Sequence, residues 1–298
     1  MEYHNPVLLE ESLSGLDIEP DGVYVDLTFG GGGHSRAILD RLGPKGRLLG
    51  FDQDKDAVLN TPKDERFQLV DSNFRFLSRF LRYFDLEKVD GILADLGVSS
   101  HQIDVPERGF SHRFSGPLDM RMNAGIARNA GDWLRESEKD ALQDVFSQYG
   151  EVRNSKTLAE KIVEARKSMP LNTTDDLVKM INPVIRGSRP RYLSQVFQAL
   201  RIAVNEELVA LEEVMTDSIT HLKSGGRLVI ISYHSLEDRI VKNVIRSGNT
   251  DGRIEKDAYG VIFTPFKRIN KKPIVPKPEE IAKNPRSRSA KLRIAERL

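Results

Sequence analysis

Short apolar runs alternate with amphipathic runs along the first third of the chain. The apolar runs predict strands at Val23–Asp26, Arg47–Phe51, Phe67–Val70, Gly91–Leu96 and, much later, Arg227–Ser232. Runs with helical spacing follow the first three, at Ser35–Leu42, Lys55–Asn60 and Phe74–Phe84. Strands that alternate with helices form a parallel sheet with helices on both faces. The pattern therefore predicts an α/β fold with a mostly parallel sheet.

Two later apolar runs predict a smaller part of the same sheet. Gly260–Pro265 and Lys291–Ala295 each have the length and composition of a strand. We expect them to form an antiparallel pair at the sheet edge.

The connection between the fourth and fifth predicted strands is about 130 residues long, which is far beyond an ordinary connection. Apolar residues recur there at helical spacing, as in Glu138–Phe146 and Thr157–Lys167. Thr173–Asp176 has the form of a capping box before Leu177–Ile181. We expect an inserted all-helical subdomain whose last helix runs on into the helix before the fifth strand. The expected division is residues 1–110 for the first part of the core, 111–205 for the insertion and 206–298 for the second part.

A glycine turn follows the first predicted strand, which ends in Asp26. Gly30–Gly33 lets the backbone turn tightly beside a ligand, and the helix start offers free N–H groups. The second strand ends in Asp52, 22 positions after the first of these glycines, about where an acid binds ribose hydroxyls. The dinucleotide fingerprint fails, because Ser35 or Arg36 stands where its third glycine belongs. An acid at the end of the first strand repels phosphates and suits a cationic amino-acid group, which favours S-adenosyl-L-methionine (AdoMet) over NAD. A turn with no ligand is the alternative.

A third acid, Asp95, ends the fourth predicted strand. The carboxyl ends of strands line the ligand crevice of open α/β sheets. Asp95 is therefore expected to face the substrate, where it could hold the methionine amine or accept from a target amine. Capping of the following turn is the alternative.

Several further motifs accompany these acids, and together they resemble the bacterial ribosomal RNA small subunit methyltransferase H family (RsmH, earlier MraW). The resemblance runs from His4 to about Leu298. The motifs are Asn5–Leu9, Glu107–Ser111, Gly116–Met122, Ser232–Arg239 and Asn284–Ser289.

The resemblance implies a class I AdoMet-dependent, Rossmann-like fold with a helical insertion for substrate recognition. It implies methylation of N4 of a cytosine in the decoding region of 16S rRNA, and the expected partner is 16S rRNA within a 30S particle. Asp95 is the candidate catalytic residue. The family's cofactor contacts fall here on Gly32, Gly33, His34, Asp52, Phe74, Asp95 and Gln102.

The amino-methyltransferase tetrapeptide [Asn/Asp/Ser]-Pro-Pro-aromatic is absent after the fourth strand, where Asp95–Val98 stands instead. The mechanism of those enzymes therefore does not transfer to this chain. No cysteine is present, which excludes a covalent cysteine adduct, disulfides and Cys-bound zinc. The histidines show no metal spacing, and no apolar run is long enough to span a membrane. We expect a cytoplasmic protein with no metal.

The net charge is +1, but the charge is unevenly distributed. From residue 265 to residue 298 there are eleven Lys or Arg and three acids, which suggests a polyanionic partner. Other candidate RNA contacts are Arg108, Phe110, Arg113, Arg121, Arg186, Arg189, Arg191 and Tyr192. Two alternatives stay open: an AdoMet enzyme acting on a small molecule or protein, and a non-catalytic ribosome-assembly factor with a vestigial cleft.

Overall fold

A computed structural model describes residues 6–254, 256, 259–260 and 264–298, and within them seven strands form one sheet in the order β3-β2-β1-β4-β5-β7-β6. All neighbours pair in parallel except β7, which runs antiparallel to both β5 and β6. The strands are β1 Val23–Asp26, β2 Arg47–Asp52, β3 Phe67–Asp71, β4 Val89–Asp95, β5 Leu222–Ser232, β6 Phe266–Arg268 and β7 Lys291–Arg297. The predicted α/β, class I arrangement is confirmed.

Helices connect and cover these strands. The helices are α1 Leu9–Leu16, α2 Gly33–Leu39, α3 Leu77–Tyr83, α4 Ser100–Asp104, α5 Ala130–Glu136, α6 Lys139–Gln148, α7 Ser155–Ala165, α8 Thr174–Ile181, α9 Arg189–Asn205, α10 Glu207–His221, α11 Ser235–Ser247 and α12 Pro278–Lys283. Short 3-10 helices occupy Lys55–Asn60, Phe74–Phe76, Pro106–Arg108, Asn182–Val184 and Pro285–Ser289. No helix in the described part of the chain is both long and apolar enough to cross a membrane.

The edge of the sheet differs in detail from the prediction. The partner of β7 is Phe266–Arg268 rather than Gly260–Pro265. Residues 261–263 of that predicted strand lie outside the described residues. β7 also pairs with β5, so it lies one strand in from the edge.

The chain divides into two compact units, Met1–Gly97 with Leu208–Leu298, and Val98–Glu207. The first unit holds the sheet. Alternate residues of a strand point to opposite faces, and here both faces are buried. Val25 and Ile92 join one apolar cluster, whereas Tyr24 and Leu93 join another. Burial on both faces explains why these strands are near-continuous apolar runs.

The second unit is helical and has its own apolar core, which includes Leu142, Phe146 and Leu158. The predicted insertion, residues 111–205, lies inside this unit, which begins earlier, at Val98. Thr173 caps α8 as predicted, accepting from the backbone N of Asp176 in a capping box.

The predicted continuation of α9 into the next helix is wrong. Glu206 adopts a left-handed conformation with φ 50°, which ends α9 before α10 begins. The adjacent Asn205 side chain is buried and donates to Met120 O, while accepting from Met122 N. These bonds hold the end of α9 against its own unit.

Candidate functional site

The glycine turn between β1 and α2 has an open side. Gly30 has φ +50°, and the nearest atom to a Cβ built there is 3.9 Å away. A Cβ on Gly33, in contrast, would collide with the ring of Pro6. The turn therefore requires glycine, and at Gly30 it leaves room for a ligand to lie directly against the backbone.

Side-chain donors bind the carbonyls of this turn. Arg36 donates from Nη1 to Gly31 O at 2.7 Å and from Nη2 to Asn60 O at 2.9 Å. Asn60 in turn donates from Nδ2 to Gly30 O at 3.0 Å. With these carbonyls occupied, the conformation of the loop is fixed before any ligand arrives.

Asp26 is an internal acceptor of the turn, and its side chain is only 1% exposed. Ser35 Oγ donates to Asp26 Oδ2 at 2.7 Å, and the backbone N of Thr28 donates to Oδ1 at 3.1 Å. Burial raises the pKa of the Asp26 carboxyl above its ordinary value. The prediction that this acid holds a cationic ligand group is wrong, because the carboxylate is buried beneath the turn and both of its oxygens accept hydrogen bonds from the turn itself.

Asp52, at the end of β2, is partly exposed, although both of its carboxylate oxygens accept hydrogen bonds from the backbone. Its Oδ2 accepts from Gly30 N at 2.7 Å, and its Oδ1 accepts from Asp54 N at 2.8 Å. Burial raises the pKa of the Asp52 carboxyl to about 6. A carboxylate offers about four acceptor positions, so each oxygen keeps capacity for a hydroxyl of a ligand.

Asp95 ends β4 on the other side of β1. Its backbone N donates to Thr28 Oγ1 at 2.7 Å, and its Oδ1 accepts from the hydroxyl of Tyr233 at 2.7 Å. Burial raises the pKa of the Asp95 carboxyl to about 6. Because β1 lies between β2 and β4, Asp52 and Asp95 stand on either side of the glycine turn.

His34, in the first turn of α2, is 6% exposed. Its Nε2 lies 3.2 Å from Val7 O, and burial lowers the pKa of the imidazole. A carbonyl only accepts, so Nε2 carries the hydrogen of the neutral ring and Nδ1 is the acceptor. The side chain thus ties the N-terminal segment to the start of α2.

The remaining predicted cofactor residues lie in different units. Phe74 begins the 3-10 helix after β3 and packs, half-buried, against the core of the first unit. Gln102 lies in α4 of the second unit, where it is 5% exposed. Its Oε1 accepts from Ser99 N at 3.0 Å, and Ser99 Oγ accepts from Gln102 N, which forms a capping box.

Three of the predicted RNA contacts have internal roles in the second unit. Arg108 donates to the carbonyls of Arg121 and Met122. Arg121 forms a two-pronged ion pair with Asp119 at 2.7 and 2.8 Å. Tyr192 is 3% exposed within the helical core, so the prediction that it stacks on a base is wrong. Phe110 is half-buried, and Arg113 is exposed.

Two sets of basic residues remain candidates. The arginine set is Arg186, Arg189 and Arg191. All three are exposed, and no carboxylate in the described ranges pairs with them. The C-terminal basic set is Arg286, Arg288 and Lys291. Only Arg288 of that set is fully exposed, since Arg286 is half-buried and Lys291 lies 3.7 Å from Asp238.

Sequence reasoning missed residues that shape the site from a distance in the chain. Thr28 links the turn to β4, and Tyr233 reaches Asp95 across 138 residues. Tyr233 follows the carboxyl end of β5 directly. Asp52 and Asp95 were predicted from the same kind of position at the ends of β2 and β4, so the sequence position of Tyr233 could have identified it as a site residue. Within the described residues, no cluster of His, Asp and Glu has a metal-binding arrangement.

Comparisons with known proteins identify the sequence family. Residues 1–298 match the family model described as the MraW methylase family. The chain is 55% identical to the ribosomal RNA small subunit methyltransferase H of Bacteroides thetaiotaomicron over 298 residues, covering 100% of this chain and 98% of the relative. It is also 55% identical to the protein of that name from Flavobacterium johnsoniae over 299 residues, covering 100% and 99%.

Solved structures match at much lower identity. An rRNA methylase from Streptococcus thermophilus matches with a TM-score of 0.41 and 13% identity, covering 100% of this chain and 99% of that one. Fibrillarin from Aeropyrum pernix, in complex with natively bound S-adenosyl-L-methionine, matches with a TM-score of 0.37 and 13% identity, covering 95% and 71%.

Proposed function

The chain belongs to the MraW methylase family, and from that premise we propose that it transfers a methyl group from AdoMet to N4 of a cytosine in the decoding region of 16S rRNA. The observation that carries the proposal is the pair of partly exposed carboxylates, Asp52 and Asp95, on either side of a glycine turn with an open face. A ligand with two hydroxyls at one end and an amine at the other fits such a pair.

The residues present fit AdoMet. Asp52 would accept from both ribose hydroxyls, since each of its oxygens already holds one backbone N–H and has a further lone pair. Phe74 would offer an apolar wall to the adenine, and the backbone of Gly32–His34 would lie along the methionine end. Asp95 would lie at the methionine end, and we assign Gln102 to the same cofactor site on the family resemblance.

When bound, AdoMet supplies an electrophilic methyl group on a good leaving group, its sulfonium. The protein must then place the cytosine amine in line with that methyl and accept from its N–H. The N4 lone pair is delocalised into the ring, so the amine is a weak nucleophile. A carboxylate that draws on the N–H returns electron density to N4, and we assign this role to Asp95.

Asp95 has the properties that this role needs. Its carboxyl is partly exposed, and its pKa of about 6 leaves it mostly ionised at neutral pH. A base with a pKa near the working pH both holds the reactive protonation state and accepts a proton readily. Asp26 cannot share the role, because its oxygens are buried beneath the turn.

The RNA would be held mainly by contacts to its phosphates, with the target base out of the stack. The arginine set and Arg113, exposed on the second unit, and Arg288, exposed on the first, are basic groups that would make those contacts. We extend the proposal to a 30S particle as the working substrate and to a cytoplasmic location, where such particles are assembled.

The test is methyl transfer from radiolabelled AdoMet to three acceptors: free 16S rRNA, 30S particles and total ribosomal protein. The proposal expects label in RNA, with N4-methylcytidine as the labelled nucleoside by mass spectrometry. A higher rate on 30S particles than on free RNA supports the particle as substrate. Label in protein, or in a different nucleoside, refutes the proposal.

A further inference from the structure

The Asp95 carboxylate is held from one side only. Its Oδ1 accepts from the hydroxyl of Tyr233 at 2.7 Å, and its backbone N is bound to Thr28 Oγ1. Among the residues that the structure describes, no donor binds its Oδ2. Within the described residues the two oxygens are therefore unequal: the Tyr233 hydroxyl binds Oδ1, and Oδ2 keeps its acceptor capacity for a ligand.

The position of Tyr233 is itself fixed by the start of α11. Its backbone N donates to Glu237 Oε2 at 2.8 Å, and the Glu237 side chain is buried. Glu237 also forms a capping box with His234, whose Nδ1 accepts from Glu237 N. Both the backbone and the half-buried ring of Tyr233 are thus held, the ring against an apolar cluster of the first unit.

The same contacts give His234 a structural role. Its Nδ1 accepts from Glu237 N at 3.4 Å, and its Nε2 lies 3.1 Å from Glu237 Oε1. Both ring nitrogens face the first turn of α11. Of the residues directly after β5, Tyr233 is therefore the one that reaches the candidate site.

We propose that Tyr233 is a positioning residue for the methyl transfer. Its hydroxyl fixes Oδ1 of Asp95, so that Oδ2 is presented to the N4 amine of the target cytosine. This inference rests on the role of Asp95 in the proposed function. A tyrosine suits the task, because burial and the neighbouring carboxylate raise the pKa of its phenol, which stays a donor throughout the working pH range.

The contact also opposes protonation of Asp95. The charged and titratable groups that face this carboxylate are His34 on α2, Asp26 on β1, Glu237 on α11 and Tyr233 itself. Burial has the largest effect and raises the pKa of Asp95, as Asp26 and Glu237 also do, whereas His34 and then the Tyr233 hydrogen bond lower it. Loss of the hydroxyl should therefore raise the pKa of Asp95 further above its ordinary value.

The test is the variant Tyr233→Phe, which removes the hydroxyl and keeps the ring. The reactive form is the carboxylate, so activity is lost as pH falls through the pKa of Asp95. Loss of one hydrogen bond to a charged group should move the acid limb of the single-turnover rate up by about one pH unit. For a single titrating group this lowers the rate about fivefold at pH 6 and by less than about 1.2-fold at pH 8.

The matched control is Tyr83→Phe, since Tyr83 is 76% exposed and lies at the end of α3. Rates are measured at saturating RNA and AdoMet from pH 5.5 to 8.5, with melting curves to confirm folding. The expected result is a shifted acid limb in Tyr233→Phe, no shift in Tyr83→Phe, and unchanged affinity for RNA in both.

Failure of this inference is distinguishable from failure of the proposed function. If Asp95→Asn is impaired and a folded Tyr233→Phe variant follows the wild-type profile at every pH, the role of Tyr233 is overturned and that of Asp95 stands. If Asp95→Asn retains the wild-type rate, the role of Asp95 falls, and the inference about Tyr233 falls with it.

Discussion

Acidification should weaken AdoMet binding, because Asp52 must be ionised to accept from two ribose hydroxyls. Burial raises the pKa of Asp52 to about 6. A group with that pKa is about 90% ionised at pH 7 and about 10% ionised at pH 5. Affinity should therefore fall about tenfold between pH 7 and pH 5 through Asp52 alone. Asp95, with its pKa also raised to about 6, should steepen the fall if it holds the methionine amine.

The variant Asp52→Asn separates the two contributions. The asparagine oxygen can accept from Gly30 N or from Asp54 N, but not from both, and it has no charge. Lost charge-assisted hydrogen bonds cost about 1.5–3 kcal/mol, so affinity at pH 7 should fall about tenfold to a hundredfold. Between pH 7 and pH 5 the variant should lose less affinity than the wild type, since only Asp95 still titrates.

Titration calorimetry with AdoMet at pH 5, 6 and 7 measures both effects. Asp71→Asn is the matched control, because Asp71 is exposed and ends β3 at the level of Asp52 in the strand register. It should bind as the wild type does at each pH. A wild-type affinity that is flat from pH 7 to pH 5, or an Asp52→Asn variant that is folded and binds normally, refutes the assignment of Asp52 to the ribose.

Four further variants test the remaining assignments. Asp95→Asn should lower the single-turnover methylation rate more than RNA affinity, and equal losses in a filter-binding and a rate assay would contradict its role. Alanine replacement of the whole arginine set should lower the slope of log affinity against log salt by about two, because each single-strand phosphate contact contributes about 0.7. Replacement of the C-terminal basic set should lower the slope by only about 0.7, because only Arg288 of that set is fully exposed. Tyr192→Phe should leave RNA affinity and its salt slope unchanged, because the side chain is buried, and a lower affinity with an unchanged melting temperature would show otherwise.

The ends of the parallel strands were predictable from sequence, because the rule behind them is simple. Apolar runs that finish in an acid place Asp52 and Asp95 at the same edge of the sheet, and the structure has both there. The glycine turn after β1 was predictable for the same reason. Local patterns suffice when a residue's position follows from its own strand or helix.

Burial and pairing across the chain were not predictable in this way. Asp26 ends a strand as Asp52 does, but Ser35 and Thr28 enclose it, which the linear pattern does not reveal. Tyr192 lies among arginines in the sequence, yet the face of α9 on which it falls is the buried one. Contacts between distant segments decide these outcomes.

The three acids of the site reveal a conflict between function and stability in the first unit. Their pKa values are all raised, so the folded chain holds protons that the unfolded chain releases. For Asp52 and Asp95 the linked stability is lost as pH rises through about 6. For Asp52 and Asp95 the shift from 3.8 to about 6 corresponds to about 3 kcal/mol each at neutral pH. Hydrogen bonds from Gly30, Asp54 and Tyr233 offset only part of the burial cost, because the pKa values stay high despite them. A ligand that brings hydrogen-bond donors to both carboxylates offsets the remaining cost, so the same burial that lowers the stability of the fold favours binding of the ligand.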